Sequence, residues 1–354
     1  MSLQASQEKT DKYSGKGLTG LANLGNTCFL NSCCQCLSHM YELNDYLDKD
    51  TFKKHLNKKP ETLILLEWNK LRKMIWSENC IIKPGGFVTS IQKVARIKDK
   101  SIFTGFAQND LTEFLIFMID CFHTAIQRKV QMNISGDAQS ETDILAQKCF
   151  NMMKTMYGNE YSEFLQLFYG ISISKIETET GDYINATPEP FLMLDLALPQ
   201  QSHTNNKPCT LKECLDQYTK AERLDGDNKY YHEEKDEKVV AKKQMHFWSL
   251  PDVLIITLKR FSNSVRKNQC LVDYPLENLD MSSYVIGYDK NSYVYDLFGI
   301  CNHSGGVFGG HYTAYVKNAN SKWYHFNDSS VNEIKTPKKM ISPMSYCLFY
   351  RKKK

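Results

Sequence analysis

Gly17-Leu-Thr-Gly-Leu-Ala-Asn23-Leu-Gly-Asn-Thr-Cys28-Phe-Leu-Asn-Ser32 passes from a polar, glycine-containing loop straight into an apolar-periodic helix, with Cys28 at the join. The spacing predicts a helix from Cys28 to about Met40. A thiol at a helix N-terminus feels the positive end of the macrodipole, which favours thiolate. Thiolate is the nucleophilic form of cysteine. Cys33, Cys34 and Cys36 lie inside the same helix and read as small packing residues. Their spacing scatters the sulfurs round the helix, which argues against a shared metal site.

Outward from this segment the chain divides into a helix-patterned half and a strand-patterned half. Glu61–Trp76 reads as a helix. Gln108–Lys129 is the clearest one, because Leu111, Phe114, Leu115, Met118, Ile119 and Phe122 form one apolar stripe. Thr210–Tyr218 reads as a short helix capped by Thr210. Strands are expected at Phe191–Leu198, Val253–Leu258, Tyr293–Ile300, His311–Lys317, Lys322–Phe326 and Tyr346–Tyr350. Helices first and strands later favour an α+β fold over alternating α/β. Residues 1–16 read as a flexible tail.

A nucleophilic thiol needs a base. His311 stands out among nine histidines, in Gly309-Gly310-His311-Tyr-Thr-Ala-Tyr315 at the start of a strand. Adjacent glycines let another backbone approach closely. The next strand carries Trp323-Tyr-His-Phe-Asn327-Asp328, so a hairpin would bring an amide or carboxylate beside His311 to orient the imidazole. Cys, then His, then Asn or Asp is the order of a thiol hydrolase, although pattern alone names no substrate.

The two segments resemble the Cys box and His box of the ubiquitin-specific proteases, a papain-like family of deubiquitinating enzymes. Leu258-Lys-Arg-Phe261, Gln108-Asn-Asp-Leu-Thr-Glu113-Phe and Leu224-Asp-Gly-Asp-Asn-Lys-Tyr-Tyr231 resemble that family too, in its order. The match runs from about Gly17 to Tyr350. The resemblance implies a thumb–palm–fingers catalytic domain over residues 17–352. Its thumb would span about 17–160, its fingers about 165–250, and its palm largely 250–350. It implies Cys28 as nucleophile, His311 as base and Asn327 as third member, with Asn23 helping to hold the oxyanion. Asn327 follows the Phe of the His box and is preferred to Asp328 on that ground. Asp328 would play a supporting part, supplying charge through a water or the adjoining loop. Asp110 and Glu113 would pair with arginines of the ubiquitin tail, and Gly309 and Gly310 would line its path. As residues alone, the two carboxylates also suit a helix start. The implied partners are ubiquitin, ubiquitinated proteins and polyubiquitin chains. Rival readings are a catalytically weak ubiquitin-binding scaffold, a protease for another ubiquitin-like modifier, and an unrelated cysteine peptidase.

Many relatives bind structural zinc through two Cys-x-x-Cys pairs in the fingers. Here those positions hold Thr178 and Gly181, then His232 and Lys235. Zinc needs about four nitrogen or sulfur ligands, and Cys209 and Cys214 do not replace the pairs. No metal and no cofactor is expected.

Composition sets the outer limits. The 354 residues, 42% hydrophobic and 12% aromatic, can bury a sizeable core, which excludes global disorder. A net charge of +4 gives no argument for nucleic acid. Residues 137–200 nevertheless hold ten acidic and three basic side chains, which reads as a solvated face or a dock for a basic partner. The longest apolar run, Phe114–Ile119, is far too short to span a membrane. Twelve cysteines without a signal-peptide pattern point to reduced thiols inside the cell, in cytoplasm or nucleus.

Overall fold

The computed structural model describes residues 11–199, 208–261, 266–306 and 309–353. The helix begun by Cys28 spans Cys28–Ser38, and all eleven of its residues are buried. A helix buried on every side lies inside its domain, and its polar Asn31, Ser32, Gln35 and Ser38 are buried with the rest. It lies between the Leu111–Ile126 helix and the strand Gly309–Lys317. The stripe predicted on Leu111–Ile126 is the face it buries: Leu111, Phe114, Leu115, Met118, Ile119 and Phe122 are all at 0% exposure. The helices Thr62–Ser77 and Gly85–Ile97 complete this lobe, with Trp68 packed against the rings of Phe87 and Phe122 at 5.9 Å each. Fully burying such a side chain contributes roughly 1.5–3 kcal/mol, so the Leu111–Ile126 helix, against which the Cys28 helix packs, is firmly held.

The expectation of a flexible tail fails for residues 11–16. Tyr13 is buried, stacked on Tyr41 at 4.5 Å and edge-on to Trp76 at 5.0 Å. Lys12 Nζ meets Asp45 at 2.9 Å and Asp48 at 2.8 Å. One aromatic anchor and two ion pairs dock a segment that looked merely polar. Residues 1–10 lie outside the described residues.

The second lobe is built on an eight-stranded sheet. Its main path runs Ser330–Ile334, Trp323–Asn327, Gly309–Lys317, Val294–Gly306, Ser345–Lys352, Val253–Lys259 and Met193–Ala197. The last strand joins in parallel, with Ile255 opposite Met193. Alternate residues face opposite sides of a sheet. Val253, Ile255, Cys347 and Phe349 accordingly face the core shared with the helices. Leu254, Ile256, Leu348 and Tyr350 face a second core, closed by the Leu211–Tyr218 helix. Burial on both faces is why Val253–Leu258 reads as a continuous apolar run rather than an alternating one.

A separate four-stranded antiparallel sheet orders Tyr183–Phe191, Gly170–Thr178, Ala241–Ser249 and Glu222–Leu224. It lies within the range expected for the fingers, 165–250. That range is not one structural piece, however. Met193–Ala197 leaves it to pair with the large sheet, and Leu211–Tyr218 packs under that sheet. The positions compared with a zinc site sit in two hairpin turns. Gly181 N–H donates to Thr178 O at 3.1 Å and Lys235 N–H to His232 O at 3.2 Å. Among the described residues no group of three or more His, Cys, Asp or Glu is arranged to hold a metal. Nor is any helix among them long and apolar enough to cross a membrane.

Candidate active site

Cys28 is the first residue of its helix, and Thr27 before it makes no side-chain cap. The first-turn N–H groups therefore have no hydroxyl to satisfy them. The loop ahead is tied by one side chain: Asn23 Oδ1 accepts from Gly25 N–H at 3.0 Å and Thr27 N–H at 3.1 Å. Gly25 takes φ 103°, in the region that favours glycine, and Asn26 takes φ 54°. Because the loop uses its oxygen, Asn23 presents its NH₂ outward. One N–H goes to Asp328 Oδ2 at 3.0 Å, and the other donates to no group among the described residues.

Burial pushes the Cys28 thiol above its ordinary pKa. The main-chain N–H groups of Tyr312 and Phe29 draw it back, and the Asp328 charge raises it further. Burial therefore outweighs the pull of the N–H groups at the helix terminus, and a base beside the sulfur would favour the thiolate. The contact with Tyr312 puts Sγ beside the residue that follows His311. Trp323–Asn327 returns antiparallel to Gly309–Lys317, with Ala314 opposite Phe326. That hairpin brings Asn327 Oδ1 within 2.7 Å of His311 Nε2. An amide oxygen only accepts, so Nε2 carries the hydrogen and Nδ1 is the basic nitrogen. Among the described residues no hydrogen bond joins Sγ to the imidazole, and in unliganded enzymes such a contact commonly tightens only when substrate binds.

Among the described residues no hydrogen bond joins Asp328 to His311. Asp328 stands at φ 49°, and its Oδ1 accepts from Asn31 Nδ2 at 2.8 Å while Oδ2 holds Asn23. Its carboxylate thus anchors the loop before Cys28. Asp110 is the N-cap of Leu111–Ile126. Its Oδ1 accepts from Thr112 N–H at 2.8 Å and Glu113 N–H at 3.1 Å, and its Oδ2 from Tyr346 OH at 2.6 Å. Glu113, by contrast, is exposed. The two carboxylates thus separate. Glu113→Lys is expected to leave the melting temperature nearly unchanged. Asp110→Ala is expected to lower stability by about 1 kcal/mol or more, the usual cost of a lost cap. Thermal melts check both.

Cys28, Gln108, Asp110, Phe261, Gly310 and Tyr312 line a cleft of about 280 Å³ between the lobes. Its floor includes His303, 5% exposed, whose pKa burial and nearby Lys267 hold down at about 4. Sequence reading passed over Gln108, Asn31, His303 and Tyr346. Gln108 stood in a segment already singled out, but its acidic neighbours drew the reading. Asn31 and Tyr346 act through partners 297 and 236 residues away, which no local signal marks.

A helical thumb, a sheet-built palm and a fingers sheet round such a cleft make this an α+β, papain-like cysteine peptidase fold. A family model described as ubiquitin carboxyl-terminal hydrolase matches residues 19–350. The chain belongs to that family, and within it to the ubiquitin-specific proteases. It is 32% identical to ubiquitin carboxyl-terminal hydrolase 2 of Bos taurus, covering 97% of this chain and 56% of the relative. Against the protein of the same name from Gallus gallus it is 34% identical, covering 95% and 93%. Ubiquitin carboxyl-terminal hydrolase 21 of Homo sapiens is 30% identical, with 95% and 62% covered. The chain spans about half the length of the bovine, human and rat relatives, at 56, 55 and 56%. Among solved structures, the SAGA Ubp8/Sgf11/Sus1/Sgf73 DUB module bound to ubiquitin aldehyde superposes with a TM-score of 0.73. It is 25% identical, with 97% of this chain and 71% of that chain covered.

Proposed function

We propose that the chain is a deubiquitinating cysteine protease. It hydrolyses the thioester, ester, peptide or isopeptide bond that follows the C-terminal glycine of ubiquitin. The observation that carries this reading is the cleft itself. Cys28 opens its helix at one wall, and the strand of His311, with Asn327 Oδ1 2.7 Å behind the imidazole, forms the other. Gly306, Gly309 and Gly310 edge the same cleft, and a wall without Cβ atoms admits an extended backbone. A solved relative bound to ubiquitin aldehyde, with a carbonyl at the same terminus, supports the choice of substrate.

His311 Nδ1 takes the proton from Cys28, and the thiolate attacks the glycine carbonyl. The carbonyl oxygen gains the charge, and the free N–H of Asn23 together with the uncapped first-turn N–H groups can meet it. Collapse breaks the C–N bond, and imidazolium gives its proton to the departing amine. Water, deprotonated by the same imidazole, then cleaves the acyl thioester and restores the thiol. Asn327 keeps Nε2–H engaged throughout. Twelve free cysteines, with sulfurs as close as 3.6 Å left unjoined, support action in a reducing, intracellular compartment.

Ubiquitin carrying a C-terminal fluorogenic amide tests the proposal. Steady release of fluorophore is expected, competed by free ubiquitin. A folded chain that releases none would overturn it.

A further inference from the structure

The two reacting groups belong to different lobes, so their separation depends on what crosses the cleft. Several polar ties do so among the described residues. Asn23 and Asn31 bind Asp328 on one side of the sulfur, and Asp110 binds Tyr346 deeper in. Another is formed by Gln108, just ahead of the thumb helix Leu111–Ile126, and it ends on Gly310, the residue before His311. Gly310 N–H donates to Gln108 Oε1 at 3.0 Å, and Gln108 Nε2 donates to Gly310 O at 3.3 Å. A carboxamide is the side chain that offers an acceptor and a donor side by side, so it pairs with a peptide as a neighbouring strand would.

The opposite side of Gly310 is equally constrained. A Cβ there would stand 2.2 Å from His303 Nε2 and 2.4 Å from Ser304 O. His303 is buried beneath it, and its ring lies 4.6 Å from that of Tyr312. Gly309 also has little room toward the thumb, since a Cβ would come within 3.3 Å of Gln108 Oε1. The main chain leading into His311 is therefore gripped between a buried imidazole and the Gln108 carboxamide.

We propose that Gln108 is a positioning residue, which clamps the main chain of Gly310 across the cleft and so sets the His311 imidazole against Cys28. This rests on the reading that Cys28 and His311 are the reacting pair. Gln108 is itself exposed, so its removal spares the core. The clamp acts on the imidazole, so its loss is felt in the chemical step. A misplacement of about 1 Å can cost on the order of a hundredfold in rate.

Three measurements on the full chain test this: hydrolysis of the ubiquitin fluorogenic amide, the pH dependence of Cys28 alkylation by iodoacetamide, and ubiquitin binding in a Cys28→Ala background. Gln108→Ala is expected to lower kcat roughly ten- to hundredfold. KM and ubiquitin affinity should stay within about twofold, and alkylation should move to higher pH as the base is lost to the sulfur. Gln108→Glu, which keeps the reach and one acceptor, should fall between Ala and the parent. Weakened ubiquitin binding with kcat and the alkylation profile unchanged would make Gln108 a substrate contact and overturn the proposal. So would a Gln108→Ala protein unchanged in all three. Turnover persisting in Cys28→Ala would instead overturn the underlying assignment of the reacting pair.

Discussion

Cys28→Ala is expected to abolish turnover and to leave ubiquitin binding intact. Twelve thiols compete for the role of nucleophile. Cys33, Cys34 and Cys36 are closest in sequence, but all are at 0% exposure, and burial pushes the Cys33 and Cys34 thiols well up. Cys28 alone among these four lines the cleft. Its thiol is raised too, but main-chain N–H groups from both lobes oppose that rise, and the strand of His311 lies beside it. Removing the nucleophile of a hydrolytic triad costs about a millionfold in kcat, because the remaining members then have nothing to activate. A ubiquitin probe ending in an electrophile should accordingly give one adduct, at Cys28. Labelling through Cys33 or Cys34 that persists in Cys28→Ala would move the nucleophile elsewhere. The Ala side chain fits the space of the thiol, so binding should survive and separate lost chemistry from lost affinity.

What the sequence disclosed depended on how locally each feature is encoded. The helix Leu111–Ile126 showed itself because its whole stripe is buried. The helix Glu141–Tyr157 buries only Ala146 and Cys149 fully, so its pattern stayed too faint to read. Gly85–Ile97 has a clear apolar face, but Pro84-Gly85-Gly86 at its start reads as a turn. The fingers strand Tyr183–Phe191 holds two prolines and Ala241–Ser249 carries two lysines near its start, and both are only part-buried, which hides their alternation. For the site, Cys28 and the His311–Asn327 hairpin were legible because each lies in one short segment. Asn23–Asp328 and Gln108–Gly310 were not, since they join residues 305 and 202 apart. Asp110 was legible only as one of two carboxylates. Its cap bonds and Tyr346 contact, which separate it from Glu113, needed the fold.

Asp328 supplies the second large effect, and its expected size follows from what it holds. Asn23 has one N–H fixed by Asp328 Oδ2, and this bond decides where the other N–H points. Removing the carboxylate should free the amide and cost about what loss of an oxyanion donor costs, 10²–10³ in kcat. Asn31 would lose its 2.8 Å partner as well, at 2% exposure. Asn31 Nδ2 keeps its bond to Leu21 O at 3.2 Å, so the loss is of one hydrogen bond to a charged group, roughly 1.5–3 kcal/mol, and Asp328→Ala should also melt earlier. Because Asp328 stands at φ 49°, Asn is the gentler replacement, being better tolerated there than Ala. If Asp328 acts through Asn23, the two are not independent, and Asn23→Ala added to Asp328→Ala should lose little further rate. Asn327→Ala works through the imidazole instead, so its loss should add to that of Asn23→Ala. Charge gives a second, separable signature. Asp328 raises the Cys28 pKa, so Asp328→Asn should move the midpoint of Cys28 alkylation to lower pH even as kcat falls. A thiolate of lower pKa is intrinsically weaker by only about threefold per unit, so a fall of about 10²–10³ in kcat with an easier thiolate points to the oxyanion side of the reaction. Full additivity of Asn23→Ala and Asp328→Ala, or a midpoint shifted upward in Asp328→Asn, would show that Asp328 serves His311 after all.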